Sequence, residues 1–500
     1  MRNQNTGTTA LDDAVYKDVV VVGNGPSGMM LSYLLAGNVP YYTGQPHPAD
    51  EMLTARLRSS ATGGSLLDQD LQFLSQGLEG RSRSPVSLLA DMLLHPCADM
   101  GLDYPSLLEW RHEPFLQVDH VVLGKGPPGG VWQMMDGNVL TISLGSWMEL
   151  PDFPFRQWEA IHTAGGPQHF RNSRVPARSV ARYYSDYVQA KKLGRFFRNS
   201  AVVTAITPLE PQSPSSACKN QSEVSGPEVR ARWRIDGYDA TSSVTFSYVC
   251  RDVVLATGGH DVPNMLHVPG ELENPSWVMH NLSQLEKVLD TIAANQGMCR
   301  CRNGTARGAQ CDPVVIVGAG LSAADAVIAA RFRGLPVVHV FRSRTPQFSG
   351  RQLPEDMYPE YHKVHQMMND RGRSYRLYTA LAEHKVLEIT SDRKVRLQSP
   401  DGKVVVCTAS VVAVLIGSRP NLSILPPELN LAGDSSRPVD CHANPVQVEL
   451  FSYAAVRAPE GMYAMGPLVG DNFVRFIQGG TLAVATDIHK NSSRKEEMIL

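Results

Sequence analysis

The sequence lacks long apolar runs, and it lacks an excess of charge of either sign. Its longest apolar stretches, such as residues 411–416, are far too short to span a bilayer, and residues 1–18 have no apolar core of the signal-peptide kind. Lysine and arginine total 47 against 49 aspartates and glutamates, a formal net charge of −2. This balance gives no electrostatic basis for binding nucleic acid or a membrane surface. We therefore expect an intracellular, cytoplasmic protein without a transmembrane segment.

Cysteine is also scarce, and its spacing argues against two kinds of site. The eight cysteines among 500 residues form no obvious disulfide framework, which fits a reducing compartment. Cys299, Cys301 and Cys311 cluster without the ligand-pair spacing of a zinc site, so we predict no metal. No Cys-x-x-Cys pair occurs, which argues against a flavin disulfide reductase.

What the sequence does contain is a glycine-rich turn near its start. The valines at 19–22 predict a strand buried in a parallel sheet, and the apolar residues after it predict a helix. Gly23 would make the tight turn, Gly25 would let the backbone approach a pyrophosphate, and Gly28 would let the helix pack closely on the strand. This is the fingerprint of a dinucleotide site. The predicted cofactor-binding residues are Gly23, Asn24, Gly25, Pro26, Ser27 and Gly28.

A second copy of this pattern lies at residues 313–325. An apolar run again leads into Gly318 and Gly320, with Ala323 in the third small position, and we assign Ser322 to the same turn. Two such turns far apart in one chain imply two nucleotide sites. The usual reason is FAD in the first site and a nicotinamide dinucleotide in the second, so that hydride passes between them.

These motifs predict an α/β fold with two dinucleotide-binding, Rossmann-like domains, the NADPH-binding domain being inserted into the FAD-binding domain. Polar and Pro/Ser-rich stretches mark the expected loops and tails. The predicted parts are a disordered tail at 1–15, an FAD-binding domain at 16–260 with a surface loop at 208–228, a linker at 261–311, an NADPH-binding domain at 312–420, and a returning FAD segment with a C-terminal helix at 421–500.

The second strand of each domain should end at the adenosine ribose. In the first domain we expect this strand at 38–44, and no acidic residue ends it. In the second domain, 336–341 is followed by Arg342 and Arg344, where an NAD site would carry an acid. Arginine at this place favours a 2′-phosphate and therefore NADPH, with a solvated arginine pair as the alternative.

Three further segments resemble the class B flavoprotein monooxygenases, which include the flavin-containing monooxygenases and the N-hydroxylating enzymes. The segments are Gly129-Gly130-Val131-Trp132, Pro151-Asp152-Phe153-Pro154 and the Leu-Ala-Thr-Gly at 255–258. The resemblance implies that Gly130 and Trp132 lie at the flavin, with a core tryptophan as the alternative for Trp132. Flavin-containing monooxygenases place an asparagine beside the flavin C4a atom, but counting back from the Pro-Asp-Phe-Pro segment puts Ile142 or Ser143 there.

The end of the chain returns to the flavin. Residues 461–472 predict a strand that runs into a turn, and 478–490 predict a helix. In flavoproteins with two dinucleotide turns, this arrangement puts an acid on the ribityl chain and a helix N-terminus toward the flavin N1–C2 carbonyl. Gly470 and Asp471 are the candidates, with a helix cap or a solvent-facing carboxylate as the alternative for Asp471.

The match is closer than a class, because five segments together resemble the oxidative stress-induced growth inhibitor family over nearly the whole chain. They are Asn24-Gly25-Pro26-Ser27-Gly28, Leu67-Asp68-Gln69-Asp70-Leu71, Gly77-Leu78-Glu79-Gly80-Arg81, Tyr358-Pro359-Glu360-Tyr361-His362-Lys363-Val364-His365-Gln366-Met367-Met368 and Gly470-Asp471-Asn472-Phe473-Val474-Arg475-Phe476. The resemblance implies an FAD- and NADPH-dependent, monooxygenase-like protein tied to growth restraint, cell death and cell division.

The chemistry that this resemblance implies needs no side-chain nucleophile. NADPH would reduce FAD, and reduced FAD with O₂ would oxygenate an unidentified small molecule or protein. The protein would bind the cofactors and exclude water, so catalytic residues stay unassigned. Two alternatives remain open: an NADPH oxidase that releases peroxide, and an FAD-binding regulatory scaffold that acts through protein partners without turnover.

Overall fold

The computed structural model describes residues 14–60, 64–162, 173–209, 231–302, 312–344 and 353–497. The chain forms two compact units, which we call unit 1 and unit 2. Unit 1 comprises Met1–Gly259 and Pro420–Leu500, and unit 2 comprises His260–Arg419. Unit 2 is therefore an insertion in the chain of unit 1, and each unit contains its own sheet with parallel strands at its centre.

Unit 1 is built on a seven-stranded sheet with a run of valines at its centre. Its strands, with those of its smaller sheets, are β1 (Val15–Val22), β2 (Asn38–Tyr42), β3 (Leu108–His112), β4 (His120–Leu123), β5 (Leu140–Leu144), β6 (Arg174–Pro176), β7 (Phe197–Arg198), β8 (Ala201–Pro208), β9 (Trp233–Asp239), β10 (Thr245–Leu255) and β21 (Met462–Ala464). Parallel strands β4 and β10 pair with β1 on its two sides. The valines of β1 are buried on both faces of the sheet, because Val19 and Val21 pack into the core cluster that contains the helix after β1, and Val20 and Val22 pack into a second cluster. The C-terminal half of β10 pairs with β21, while its N-terminal half pairs with antiparallel β9.

The second strand along the chain is not the second strand of this sheet. β2 pairs antiparallel with β3 in a separate two-stranded sheet, and the parallel neighbours of β1 are β4 and β10. The prediction that 38–44 completes the nucleotide fold was therefore wrong. Both β2 and β4 are short apolar strands, so the local pattern could not tell which of them pairs with β1. Residues 36–119, which we call the inserted segment, separate the first helix from β4.

The helices of unit 1 pack against one another at close range. They are α1 (Pro26–Leu35), α2 (Glu51–Ser60), α3 (Leu71–Leu74), α4 (Pro85–Leu94), α5 (Phe155–His162), α6 (Ala177–Ala190) and α10 (Val474–Glu497). α1 is buried almost all round, and its apolar residues share one core cluster with those of α4 and α10. Where α4 crosses α10, a Cβ at Gly479 would overlap the backbone of Ser87. Glycine at this position therefore sets the distance between the two helices.

Unit 2 repeats the parallel plan with a five-stranded sheet of order β12-β19-β13-β14-β15. Its strands are β11 (Val262–Pro263), β12 (Val278–Met279), β13 (Val314–Val317), β14 (Val337–Phe341), β15 (Tyr378–Ala382), β16 (Lys385–Thr390), β17 (Lys394–Gln398), β18 (Val404–Thr408), β19 (Val411–Val414) and β20 (Ser418–Arg419). Its helices are α7 (Leu282–Arg302), α8 (Leu321–Phe332) and α9 (Pro359–Asn369). Parallel β14 and β19 pair with β13 on its two sides, and all four residues of β13 are buried, as is typical of a parallel strand that is covered on both faces.

Unit 2 begins earlier than the predicted NADPH-binding domain. The sequence predicts a linker at 261–311, but β11, β12 and α7 lie there, and β12 pairs with β19 in the unit 2 sheet. The described part of this linker therefore belongs to unit 2. Residues 1–13 of the predicted tail and 210–228 of the predicted surface loop lie outside the described residues.

Gly479 provides a test of the packing between α4 and α10. Alanine is the better helix former by about 1 kcal/mol, so an unconstrained helix would gain stability from Gly479→Ala. We predict instead that this variant is destabilised by about 1–3 kcal/mol, the usual cost of overpacking. Urea unfolding measures the difference. Gly194→Ala is the control, because nothing lies within 4 Å of a Cβ there; a Gly479→Ala variant as stable as the wild type would contradict the close crossing.

Candidate functional site

The first glycine turn follows β1 and is enclosed by backbone. Gly23 has a φ of +117°, and a Cβ there would overlap the carbonyl oxygen of Ala256, which follows β10. A Cβ at Gly28 would overlap the carbonyl oxygen of Gly23 itself. Glycine is therefore required at both positions, one for its backbone conformation and both for close approach.

Gly25 differs from its neighbours because it faces open space. It precedes α1 in an extended conformation without a side-chain cap, and no atom lies within 4 Å of a Cβ built there. Gly130 approaches Gly25, since a Cβ at Gly130 would lie 3.0 Å from the Gly25 Cα. Pro26 takes the first helical position, where no N–H is needed. The uncapped N–H groups of the first turn of α1 suit an anionic group such as a pyrophosphate.

Asn24 and Ser27 direct their side chains into the protein. The buried amide of Asn24 donates to the carbonyl of Gly126 at 2.7 Å and to Asn199 Oδ1 at 3.3 Å. Ser27 is buried beside Gly466, where a Cβ would lie 2.5 Å from Ser27 Oγ. These two side chains therefore fix the turn against the segments that follow β4 and β21.

In a dinucleotide-binding fold, the strand next to β1 ends at the adenosine ribose, and in unit 1 this strand is β4. β4 pairs in register with the end of β1, so Leu123, Gly124 and Lys125 occupy the place of the acidic residue. None of them is acidic, which repeats the absence noted from the sequence at a different strand. A Cβ at Gly124 would overlap the Asn24 side chain, so glycine keeps this loop against the turn. The signal that could have identified β4 was its apolar run shortly before the glycine pair at 129–130.

The second turn, in unit 2, has the same construction. Gly318 has a φ of +139°, and a Cβ there would overlap the carbonyl oxygen of Leu415, which follows β19. Gly320 precedes α8 in an extended conformation and faces open space. Ala323 is buried, and its methyl group fits at 3.4 Å from the Cβ position of Gly318, while Ser322 is exposed. The third position of this turn therefore accepts alanine.

His339 holds the second turn, and the sequence analysis missed it. This fully buried residue of β14 has its Nε2 2.7 Å from the Gly318 carbonyl oxygen and its Nδ1 2.8 Å from the Tyr378 hydroxyl. Because the carbonyl can only accept, Nε2 carries the proton and Nδ1 accepts from Tyr378. Burial lowers the pKa of His339 to about 4, so the ring is neutral near pH 7. The only signal in the sequence was a polar residue inside a strand of valines.

Arg342 and Arg344 follow β14 directly, and both are exposed. β14 is the parallel neighbour of β13, which leads into the second glycine turn. The two arginines therefore lie beyond the strand end where an NAD site carries its acidic residue. Guanidinium groups are suited to bind a phosphate through charge-assisted hydrogen bonds.

Asp471 lies in a buried cluster of hydroxyl groups. Its Oδ2 accepts from the Tyr453 hydroxyl at 2.8 Å and from Ser87 Oγ at 3.2 Å. The Tyr453 hydroxyl also lies 2.7 Å from Ser84 Oγ. Burial raises the pKa of Asp471 to about 7, although the hydrogen bonds from Tyr453 and Ser87 oppose the rise. Gly470, with a φ of +95°, forms the turn before it, so the carboxyl group is buried and hydrogen-bonded shortly before α10 begins.

Arg475, in the first turn of α10, is buried and ion-paired. Its guanidinium group binds both carboxylate oxygens of Asp91 on α4 and lies 2.9 Å from Asp99. Its Cζ lies 4.7 Å from the centre of the Trp147 ring. Burial alone would lower the pKa of Arg475, but the two aspartates raise it overall. They also offset the cost of placing a cation at a helix N-terminus.

Trp132 and two residues of β5, Ile142 and Ser143, are the other positions that the sequence placed near the flavin. Trp132 lies in the short helix Gly130–Gln133, is half-buried, and packs edge-on against Tyr184 with ring centres 6.3 Å apart. Ile142 and Ser143 lie within β5, where the Ser143 carbonyl accepts from the Thr141 hydroxyl at 2.6 Å. The asparagine side chain that the resemblance leads one to expect is thus absent from both positions.

The residues present fit the nucleotide cofactors that the two turns imply. Gly25 and Gly320 each leave space beside an uncapped helix N-terminus. The Thr257 hydroxyl, just after β10, is buried and has no hydrogen-bond partner among the described residues. Nucleotide phosphates and hydroxyls are groups that such backbone and side-chain atoms bind.

The described residues offer no metal site, disulfide or membrane-spanning helix. No group of three or more His, Cys, Asp or Glu residues there could hold a metal ion. The cysteines with described side chains, Cys97, Cys250, Cys407 and Cys441, are free thiols, and the predicted cluster at 299–311 falls outside them. No helix among the residues described combines the length and the apolar character needed to cross a membrane.

Comparisons with known proteins give the family. Residues 186–444, about half of the chain, match the pyridine nucleotide-disulphide oxidoreductase family. Human oxidative stress-induced growth inhibitor 2 is 40% identical over 502 residues, which cover 97% of this chain and 95% of that protein. Mouse oxidative stress-induced growth inhibitor 1 is 43% identical over 493 residues, which cover 95% of this chain and 96% of that protein.

Solved structures resemble the chain at much lower identity. Bacillithiol disulfide reductase from Staphylococcus aureus is 14% identical with a TM-score of 0.55, covering 95% of this chain and 99% of that one. Ornithine hydroxylase from Pseudomonas aeruginosa is 13% identical with a TM-score of 0.55, covering 96% of this chain and 100% of that one. These likenesses show the fold alone, and they confirm the predicted α/β arrangement with two dinucleotide-binding domains. With its relatives matched over nearly their whole length, the chain belongs to the oxidative stress-induced growth inhibitor family, within the pyridine nucleotide-disulphide oxidoreductases.

Proposed function

We propose that this protein is an FAD- and NADPH-dependent, monooxygenase-like oxidoreductase. The observation that carries the proposal is the repetition of one construction, a buried parallel strand, a glycine turn and an uncapped helix N-terminus, in each of two units. Two nucleotide sites in one chain are what hydride transfer from a nicotinamide to a flavin requires. The family match to pyridine nucleotide oxidoreductases supports this use of the two sites.

Unit 1 is the proposed FAD site. Gly25 and Gly130 would leave room for the pyrophosphate, and the N-terminus of α1 would bind its charge. Asp471 would meet the ribityl chain, and Trp132 would lie at the isoalloxazine. The adenosine ribose would be bound without the usual carboxylate, because β4 ends without one.

Unit 2 is the proposed NADPH site. Gly320 would admit the pyrophosphate, and His339 keeps the preceding carbonyl of Gly318 in place. Arg342 and Arg344 would bind the 2′-phosphate, which distinguishes NADPH from NADH. Their exposure at the end of β14 supports this assignment.

The remaining task of the protein is orientation and exclusion of water. Bound FAD supplies the electron transfer from NADPH and the reaction with O₂. The side chains of this chain need only hold the two cofactors and a nucleophilic nitrogen, sulfur or carbonyl substrate together. The absence of any Cys-x-x-Cys pair in the whole sequence argues against a dithiol reductase, despite the name of the matched family.

An NADPH oxidase that releases peroxide is the second candidate. It is favoured by Ile142 and Ser143, which offer no amide side chain where flavin-containing monooxygenases place an asparagine. Either activity would link NADPH and oxidant levels to growth restraint, the role named in the relatives. We place this activity in the cytoplasm, with regulatory protein partners.

Oxygen and peroxide measurements distinguish these activities. The purified protein, supplied with FAD and NADPH, is given a mixture of amines, thiols and ketones while NADPH oxidation, O₂ uptake and peroxide release are followed. We expect NADPH oxidation that needs O₂ and releases less than stoichiometric peroxide. Stoichiometric peroxide under every condition would favour the oxidase. Bound FAD without NADPH oxidation would contradict both activities and favour a scaffold.

Alanine substitutions at two glycines of the first turn distinguish an effect on cofactor binding from an effect on folding. A Cβ at Gly25 meets no protein atom, so Gly25→Ala should leave the apoprotein within about 0.5 kcal/mol of wild-type stability while weakening FAD binding roughly tenfold or more. Gly28→Ala overlaps backbone and should destabilise the apoprotein by about 1–3 kcal/mol. FAD titration and urea unfolding measure the two effects. Unchanged FAD affinity in Gly25→Ala would contradict the proposed pyrophosphate position.

The arginine pair provides a test of cofactor choice. The double variant Arg342→Ala, Arg344→Ala should raise the KM for NADPH at least roughly tenfold, because hydrogen bonds to charged groups contribute about 1.5–3 kcal/mol each. The KM for NADH should stay within about twofold, since NADH has no 2′-phosphate. Arg396→Ala is the matched control, an exposed arginine of the same unit that pairs with Glu388 on the β16–β17 sheet. Equal losses for both nucleotides would show that the pair is only a solvated cationic surface.

A further inference from the structure

Asp471, the carboxyl group assigned to the flavin ribityl chain, is held by Tyr453 at a fixed position. Its Oδ2 accepts from the Tyr453 hydroxyl at 2.8 Å and from Ser87 Oγ at 3.2 Å. The Tyr453 hydroxyl is in turn held 2.7 Å from Ser84 Oγ. Because two donors share one carboxyl oxygen, the group cannot rotate without breaking both hydrogen bonds.

Tyr453 itself is held in a conformation that a bulky residue rarely adopts. Its φ is +61°, in the left-handed region, which is unfavourable for a residue with a side chain. Its N–H donates to the Glu449 carbonyl at 3.0 Å, and its own carbonyl accepts from Ala464 at 3.2 Å. Gly480 on α10 makes room for the ring, since a Cβ there would lie 2.6 Å from Tyr453 Cε1. The backbone and the ring of Tyr453 are therefore fixed from several sides.

The Tyr453 hydroxyl helps to stabilise the charged form of the buried Asp471 carboxyl group. Burial disfavours the charged form of Asp471, and the hydrogen bonds from Tyr453 and Ser87 are the interactions that favour it. Burial also raises the pKa of Tyr453 well above its ordinary value, so its hydroxyl stays protonated. Removing this hydroxyl would leave the carboxyl group with one weaker donor, Ser87.

We propose that Tyr453 is a positioning residue for the flavin, which holds the Asp471 carboxyl group in place for the ribityl chain. This inference rests on the proposed FAD site in unit 1. Ser84 directly precedes α4 and Ser87 lies in its first turn, so the inserted segment completes the support of Asp471. Tyr453 acts through Asp471 and has no role of its own in the chemistry.

A double-mutant cycle on FAD binding tests the proposal. Tyr453→Phe should weaken FAD binding roughly tenfold, because the Asp471 carboxyl group loses the shorter of its two hydrogen bonds and is no longer held in place for the ribityl chain. In the Asp471→Ala background the same substitution should change the FAD dissociation constant by less than about twofold, because the group that it positions is gone. The FAD dissociation constant is measured by flavin fluorescence, and the thermal midpoint of each apoprotein is recorded beside it.

Tyr463→Phe is the matched control. Tyr463 is also buried, and its hydroxyl donates to the carboxylate of Asp487 at 2.7 Å. We expect this variant to lower the apoprotein midpoint while leaving FAD affinity unchanged. If Asp471→Ala does not fold, the FAD affinities of Tyr453→Phe and Tyr463→Phe still show whether the effect is specific to Tyr453.

Two results would overturn the inference. Equal losses of FAD affinity from Tyr453→Phe in both backgrounds, or in both tyrosine variants, would show a merely structural tyrosine. A wild-type protein that binds no FAD would instead overturn the proposed function itself, which separates that failure from this one.

Discussion

Close approach of backbone to backbone at two glycine turns is the constraint on which the structure depends. In unit 1, Gly23 lies against the Ala256 carbonyl and Gly28 lies against Gly23. In unit 2, Gly318 lies against the Leu415 carbonyl. Strand ends can converge in this way only where no Cβ intervenes. The same convergence leaves the following helix N-terminus uncapped and open, so the requirement of the fold and the requirement of a phosphate site coincide.

The inserted segment is bound into this arrangement by three contacts between α4 and the end of the chain. The backbone of Ser87 lies against Gly479, the Asp91 carboxylate pairs with Arg475, and the segment's hydroxyls reach Asp471. Two of these contacts are buried and polar, and removing one partner of such a pair is costly because the other is left unsatisfied. The segment therefore supports the first turns of α10 and the carboxyl group before it.

The sequence predicted the parts that depend on local pattern. Both glycine turns, their buried strands and their helices follow from residues within about a dozen positions of one another, and the structure has them where they were expected. The pairing of β1 with β4 was not predictable in this way, because β2 has an equally strandlike composition and intervenes in the chain. Strand pairing depends on which side chains are buried together, and these lie too far apart in the sequence for a local periodic pattern to show it.

The supporting residues of the candidate site were missed for a related reason. His339 could be recognised only as a polar residue in a valine strand, since its partner Gly318 is 21 positions away. Tyr453 and Ser84 are separated by 369 positions, and no local pattern links them. The glycines and Asp471 could be proposed from the sequence because they lie in short, recognisable segments. Residues that hold a motif from elsewhere in the chain become visible only when the fold brings them together.

An anaerobic titration of the purified protein with NADPH tests most directly the central claim, that one unit holds FAD and the other supplies it with hydride. We expect a visible flavin absorbance band in the isolated protein, and we expect this band to bleach as NADPH is added. A protein that retains FAD but keeps its absorbance in excess NADPH would contradict the claim.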